Sequence, residues 1–175
     1  MIPPESLTPV YEKDDWTVYE LGSSVPKAVL ASRYSITQTK EAFGKRYFDP
    51  SFDPENEVIL ENPPAVDPSG EGEGLVRIDS YAPQTISITT SALSPKLLVL
   101  SDTYYPGWTA AVDGRLTPIY RANYTMRAIS VPSGNHTVTF TYEPASVRIG
   151  FMISIASLLV LIIWMYSRYK ANEKL

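Results

Sequence analysis

The chain has 175 residues, with 15 Lys and Arg against 19 Asp and Glu, a net charge of −4 and no cysteine. Lack of cysteine excludes disulfides and thiolate metal sites, and the acidic balance excludes nucleic acid as a partner, because phosphate binding needs a basic face. The charge is unevenly placed: residues 1–145 carry 11 basic and 18 acidic side chains, net −7, while 146–175 carry four basic and one acidic, net +3.

The N-terminal MIPPESLTPVYEK has no basic n-region and no apolar h-region, so it does not read as a signal peptide. Trp16–Leu21 and Pro26–Ser32 are predicted short strands. Thr39–Tyr47 is the one helical candidate before the end of the chain, with Thr39 as N-cap and Ala42, Phe43 and Tyr47 as an apolar stripe. Asp49-Pro50 and Asp53-Pro54 then break it, since proline disfavours a helical residue before it. Glu57–Glu61 is a predicted buried strand. Residues 62–74, NPPAVDPSGEGEG, form a loop of proline, glycine and acid with nothing to pack a core.

Beyond the loop the strands come quickly. Val76 and Ile78, then Ile86 and Ile88, alternate with polar neighbours and so share one face. Leu97–Leu100 is a continuous apolar run, as expected of a central strand buried on both sides. Trp108–Val112 leads into Asp113-Gly114, a type I′ hairpin signal. Thr125–Val131 and Asn135–Tyr142 flank Pro132-Ser133-Gly134 and predict a second hairpin. In the last strand Val138, Phe140 and Tyr142 point one way and the intervening threonines the other. This spacing predicts a mainly β fold: an antiparallel β-sandwich of jelly-roll type with one short helix.

The chain then becomes a membrane span. Ile149–Tyr166 is 18 residues without a charge, and as a helix covers roughly 27 Å, close to the hydrocarbon thickness of a bilayer. Arg168, Lys170 and Lys174 follow it, and only Arg148 closely precedes it. Positive flanks stay cytoplasmic, which places the C-terminus inside and the β domain outside. Trp164, Tyr166 and Tyr169 form an interfacial aromatic belt at that end. Gly150, Ser154 and Ser157 share a helical face on which another membrane helix can pack closely. The expected division is 1–145 as an extracytoplasmic domain containing the loop 62–74, 147–167 as the span, and 168–175 as a basic cytoplasmic tail. An outside domain needs an export route. The chain is therefore either tail-anchored with its domain in the cytoplasm or the C-terminal piece of a longer multi-span protein, and the charge flanks favour the second.

The words SDTYYPGWTAAVDG and PIYRANYTMRAISVPSGNHTVTFTYEP, followed at once by a span, are more specific than any of these patterns. Over Ser101–Pro144 the chain resembles the C-terminal end of the YfhO-like bacterial membrane proteins, which are similar to the GT-C glycosyltransferases. VYEL, PKAVLAS and the FDP…EVILE segment fit more loosely. The resemblance implies a bacterial cell-envelope protein whose β-rich extracytoplasmic domain is followed by a final helix. It also implies sugar transfer from a lipid-phosphate donor, with an acidic catalytic residue in an early extracytoplasmic loop. No multi-span region is present here, so no catalytic residue is carried over and this chain alone is expected to be non-catalytic.

Asp102, Tyr104, Tyr105 and Trp108 form an aromatic loop leaving the central strand, of the kind that stacks on sugar C–H faces while an acid accepts hydroxyl hydrogen bonds. Structurally, the same residues make a Pro-Gly turn, with Trp108 capping the core and Asp102 bonding local amides. Arg121, Asn123 and Tyr124 are placed to face that loop, Arg121 either binding an anion or pairing with Asp102 or Asp113. These seven residues are the candidate glycan or interdomain contacts. His136, the only histidine, reads as a rim residue without an acid at ligand spacing, so no metal site and no cofactor are expected. The expected partners are the lipid bilayer, other transmembrane helices and a cell-envelope glycan. The alternatives are a membrane-anchored glycan-binding sandwich acting alone, or a structural subunit that docks on another membrane protein.

Overall fold

Alternation of apolar and polar residues is realised as two facing sheets in the computed structural model, which describes residues 7–21, 24–68, 70, 72 and 74–172. The strands are β1 (Leu7–Lys13), β2 (Trp16–Leu21), β3 (Ala28–Ala31), β4 (Arg33–Ile36), β5 (Glu57–Leu60), β6 (Gly74–Tyr81), β7 (Thr85–Ala92), β8 (Lys96–Leu100), β9 (Trp108–Val112), β10 (Arg115–Thr117), β11 (Tyr120–Ala122), β12 (Met126–Val131) and β13 (Gly134–Tyr142). The helices are α1 (Lys40–Tyr47) and α2 (Ala145–Asn172). One sheet has the order β10-β9-β13-β7-β6 and the other β3-β8-β12-β11-β5-β4.

The inner faces interlock. Ile86, Ile88, Ala110, Val138 and Phe140 from the five-stranded sheet pack against Leu30, Leu98, Leu100, Ile129 and Val131 from the six-stranded one. The predicted mainly β sandwich is therefore present, with its strand pairs antiparallel except one. β4 runs parallel to β5, and α1 lies in the connection between them. Thr39 caps α1 as expected, its hydroxyl accepting from the Ala42 amide at 3.2 Å.

β8 is buried along its whole length, so the six-stranded sheet needs cover on both faces. Its outer face carries Ala31, Val58, Leu60, Leu97, Val99 and Ala128. The end of α1 and the segment after it supply part of the cover: Tyr47 and Pro54 share a small cavity with Val29, Val99 and Met126. The loop expected to pack nothing supplies more. The Ala65 amide donates to the Tyr120 hydroxyl at 2.7 Å, and the Tyr34 hydroxyl donates to Asp67 at 2.7 Å. Tyrosines rising from the sheet thus anchor a segment that has little apolar surface of its own. Ser69, Glu71 and Glu73 of that loop lie outside the described residues.

One expectation is corrected. The Asp113-Gly114 hairpin forms, both residues having positive φ (49° and 77°), but the second predicted hairpin does not. β12 pairs with β8 and β11, whereas β13 pairs with β7 and β9. Pro132-Ser133 is therefore an arch that carries the chain from one sheet to the other, because each strand already has a neighbour on both sides. In addition β1, interrupted by Pro9, pairs with the predicted β2 in a separate two-stranded sheet whose register shifts between Pro9 and Tyr11. Trp16 on this hairpin is 78% exposed.

β13 leads through Glu143 and Pro144 into α2, a helix long and apolar enough to cross a membrane and buried nowhere against the rest of the chain. Glu173 and Lys174 of the expected basic tail lie outside the described residues. Phe140, fully buried at the centre of the sandwich, is the sharpest probe of this core. Phe140→Ala is expected to cost about 3–5 kcal/mol of β-domain stability, read from urea unfolding of the detergent-solubilised chain. A loss below about 1 kcal/mol would contradict the packing described.

Candidate functional site

One end of the sandwich gathers charge and aromatic rings. β8 finishes at Leu100, and the chain turns out of the sheet at Ser101 and Asp102, with the Ser101 amide bonded to the Lys27 carbonyl at 2.9 Å. β12 begins beside it. Arg127 lies in phase with Ile129 and Val131, so the pleat directs its side chain between the two sheets, where it is 2% exposed. The Trp108 ring lies over the guanidinium at 4.0 Å, and the Phe140 ring at 5.4 Å. Asp102 is the common partner. It takes Arg127 Nη2 at 3.0 Å, Lys27 Nζ at 2.8 Å and the Tyr81 hydroxyl at 3.0 Å to each oxygen. Burial pushes the Asp102 carboxyl up. The hydrogen bonds from Lys27 and Tyr81, with the charges of Lys27 and Arg127, outweigh that and hold it below the usual carboxylate range. Asp102 thus bonds side chains, in place of the local amides expected.

The aromatic loop closes over this pair. Trp108 is opposite Tyr142 in the β9–β13 ladder, their rings 5.2 Å apart, and Tyr105 approaches Tyr142 at 6.4 Å. Gly107 has φ +103°, and a Cβ there would meet Tyr142 and Pro144 at 3.0 Å. Its carbonyl accepts from the Glu143 amide at 2.9 Å. The loop is therefore seated on the two residues that join β13 to α2. Between these parts lies an open cleft of about 320 Å³ lined by Tyr81, Pro83, Asp102, Tyr105, Trp108 and Arg127.

The other candidates lie elsewhere. Tyr104 leaves the cleft and meets Arg121, whose guanidinium lies 5.6 Å over the ring. Arg121 pairs with Glu61 at 3.2 Å, not with Asp102 or Asp113. Asn123 is buried and clips β11 to β5, its side-chain Oδ1 accepting from the Ile59 amide at 2.9 Å and its backbone N–H donating to the Ile59 carbonyl at 2.8 Å. Tyr124 packs at a tilt against Phe43, ring centroids 5.5 Å apart. Asn123 and Tyr124 both have positive φ and form the tight turn into β12. So the seven candidates divide: Asp102, Tyr105 and Trp108 line the cleft, Tyr104 turns away to Arg121, and Arg121, Asn123 and Tyr124 support the sheet. Sequence reasoning missed Lys27, Tyr81, Arg127 and Tyr142. Only Arg127 left a signal, being a charge in the apolar phase of a strand.

Residues 73–154 match the family model of the bacterial membrane protein YfhO. Over that stretch the chain is similar to YfhO. The match begins just before β6 and ends inside α2, so it takes in the cleft-lining Tyr81, Asp102, Tyr105, Trp108 and Arg127 together with the junction to the helix. Lys27 falls outside it. No curated protein and no solved structure matches the chain. A YfhO-type match that runs into an uncovered apolar helix makes this a membrane-associated protein. On that helix Gly150, Ser154 and Ser157 share a face, and each serine hydroxyl donates to the carbonyl four residues back at 2.9 Å.

At the other end of β9 a cavity of about 550 Å³ is lined by Val66, Val112, Asp113, Leu116, Pro132 and His136. His136 has the acid partner that its spacing did not suggest. Asp113 Oδ2 lies 2.6 Å from Nδ1, and the Ser133 carbonyl 3.0 Å from Nε2. The Asp113 hydrogen bond and then the Ser133 carbonyl raise the His136 pKa above its ordinary value of 6.5. A raised folded value means that the contribution of His136 to stability is complete below about pH 6.5 and is lost as pH rises through the folded value. The melting temperature of the wild-type β domain is therefore expected to fall between about pH 6 and pH 8.5 by more than that of His136→Gln, and parallel profiles would refute the pairing.

The loop seat gives a second test. Gly107→Ala meets both positive φ and two close contacts, whereas Gly114→Ala meets positive φ in open space. Gly107→Ala is expected to cost about 1–3 kcal/mol and more than Gly114→Ala, measured by urea unfolding; equal costs would remove the steric role of the junction.

Proposed function

We propose that this chain is the C-terminal extracytoplasmic domain and last membrane helix of a multi-span, GT-C-like protein that transfers sugar to cell-envelope polymers. The single observation that carries the reading is the YfhO match running unbroken through the aromatic loop, the central strand β13 and into α2. In this reading residues 1–145 lie outside, 147–167 span the membrane and 168–175 are cytoplasmic. The basic side chains Arg168 and Lys170 after the apolar run support that direction. The domain itself is non-catalytic. Its cleft, with Asp102 among Tyr105, Trp108 and Tyr81, has the aromatic faces and hydroxyl acceptor that suit a sugar, and shapes the acceptor side of the parent enzyme.

The Gly150, Ser154 and Ser157 face is the docking stripe for the other membrane helices. Its serines already bond their own helix, so the stripe offers a close-packing surface without unsatisfied hydroxyls.

The chain has no cysteine, which makes single-cysteine labelling clean. Arg115→Cys, in the β9–β10 hairpin, and Lys170→Cys, after the apolar run, are to be treated with a membrane-impermeant maleimide in intact spheroplasts. Labelling of Arg115→Cys but not of Lys170→Cys is expected. The reverse pattern would place the β domain in the cytoplasm and end the glycosyltransferase reading of this chain.

A further inference from the structure

Arg127 is held by fewer acceptors than a buried guanidinium requires. Only Nη2 reaches Asp102, and among the described residues Nε and Nη1 have no hydrogen-bond partner although both are shielded from solvent. Buried donors are nearly always satisfied in folded proteins, and leaving one unpaired is costly. The Trp108 and Phe140 rings offset part of that cost by facing the cation, but a ring face does not accept the in-plane N–H bonds. Nor does Asp102 have spare capacity, since Lys27, Tyr81 and Arg127 all converge on it. Two cations against one carboxylate leave the cluster with a net charge of +1.

The position narrows the chemistry. Tyr142 lines the cleft, α2 starts three residues later at Ala145, and the uncharged run starts at Ile149. Extended chain to Ala145 and helix thereafter span roughly 16 Å at most, which brings the cleft within reach of the headgroup layer of a bilayer that α2 crosses. Tyr105, 60% exposed at the mouth, is an aromatic side chain suited to such an interface.

We propose that the cleft over Arg127 is a phosphate site, in which Arg127 binds a phosphate group presented at the membrane surface. The fork of the guanidinium suits paired phosphate oxygens, and Lys27, paired with Asp102 from the neighbouring cavity, leaves the cluster positive. The proposal rests on the membrane-adjacent placement given under the proposed function, but not on sugar transfer. The phosphate belongs either to a lipid headgroup or to a soluble ion.

The test uses the full chain in phosphatidylcholine nanodiscs with and without dioleoyl phosphatidic acid, with retained lipid counted by native mass spectrometry. Inorganic phosphate is titrated separately into the phosphatidylcholine discs and followed by phosphorus NMR line broadening. Selective retention of phosphatidic acid, weakened at least tenfold in Arg127→Met, is expected and assigns the site to a lipid headgroup. Broadening of inorganic phosphate that Arg127→Met abolishes, without retained phosphatidic acid, supports the same site with a soluble source. Binding of neither probe by the wild type, or equal binding by Arg127→Met, overturns the proposal. If circular dichroism shows Arg127→Met unfolded, Tyr105→Asp at the exposed mouth decides instead: it sets a carboxylate against the anion, and unchanged binding overturns the proposal. The maleimide labelling pattern is read independently, so a failed phosphate site and a failed topology are told apart.

Discussion

The six-stranded sheet is apolar on both faces, and that single constraint organises the β domain. The alternation of Leu97 and Val99 with Leu98 and Leu100 sends large side chains to each side, so one covering layer is not enough. The five-stranded sheet covers one face and completes the sandwich. The other is covered by the segment around Tyr47 and Pro54 and by the proline-rich loop bonded to Tyr34 and Tyr120. A half-buried salt bridge supports this outer layer, where Arg46 grips both oxygens of Glu57 at the start of β5. The chain thus uses polar anchors wherever its covering segments lack enough apolar area of their own.

Where the two sheets end, the same logic produces a site. An apolar side chain at position 127 would close the sandwich; a guanidinium there needs acceptors, and Asp102 satisfies only part of it. The aromatic loop then does two things at once. Trp108 shields the cation, and Gly107 fits against Tyr142 and Pro144 at the exit to α2. Charge, ring and tether are within one small volume because β9, β12 and β13 all pass through this end.

Local chemistry was legible in the sequence and pairing was not. Asp113-Gly114 announced its turn because few residues accept positive φ twice in a row. Thr39 announced a cap, and the Leu97–Leu100 run announced a strand with two buried faces. Pro132-Ser133-Gly134 misled, because the residues of a tight turn do not reveal whether the flanking strands pair with each other or with strands dozens of residues away. The parallel β4–β5 pair was hidden for the same reason, and β1 was hidden by Pro9. In the cleft, Tyr105 and Trp108 stood out as a cluster of rings, and Arg127 was visible as a charge out of phase with its strand. Lys27 and Tyr81 lie on separate strands or connections whose approach to Asp102 is a product of topology alone.

The continuity of β13 with α2 also has a mechanical meaning. β13 is the middle strand of its sheet, bonded to β7 from Gly134 to Thr141 on one side and to β9 from Val138 to Tyr142 on the other. A force drawn along the tether would therefore load two hydrogen-bonded ladders in shear, so that many bonds resist together instead of opening one at a time. An edge strand in the same position would peel. By hanging the β domain from its best-held strand, the fold allows the membrane end to be pulled or tilted while the cleft beside Tyr142 keeps its shape.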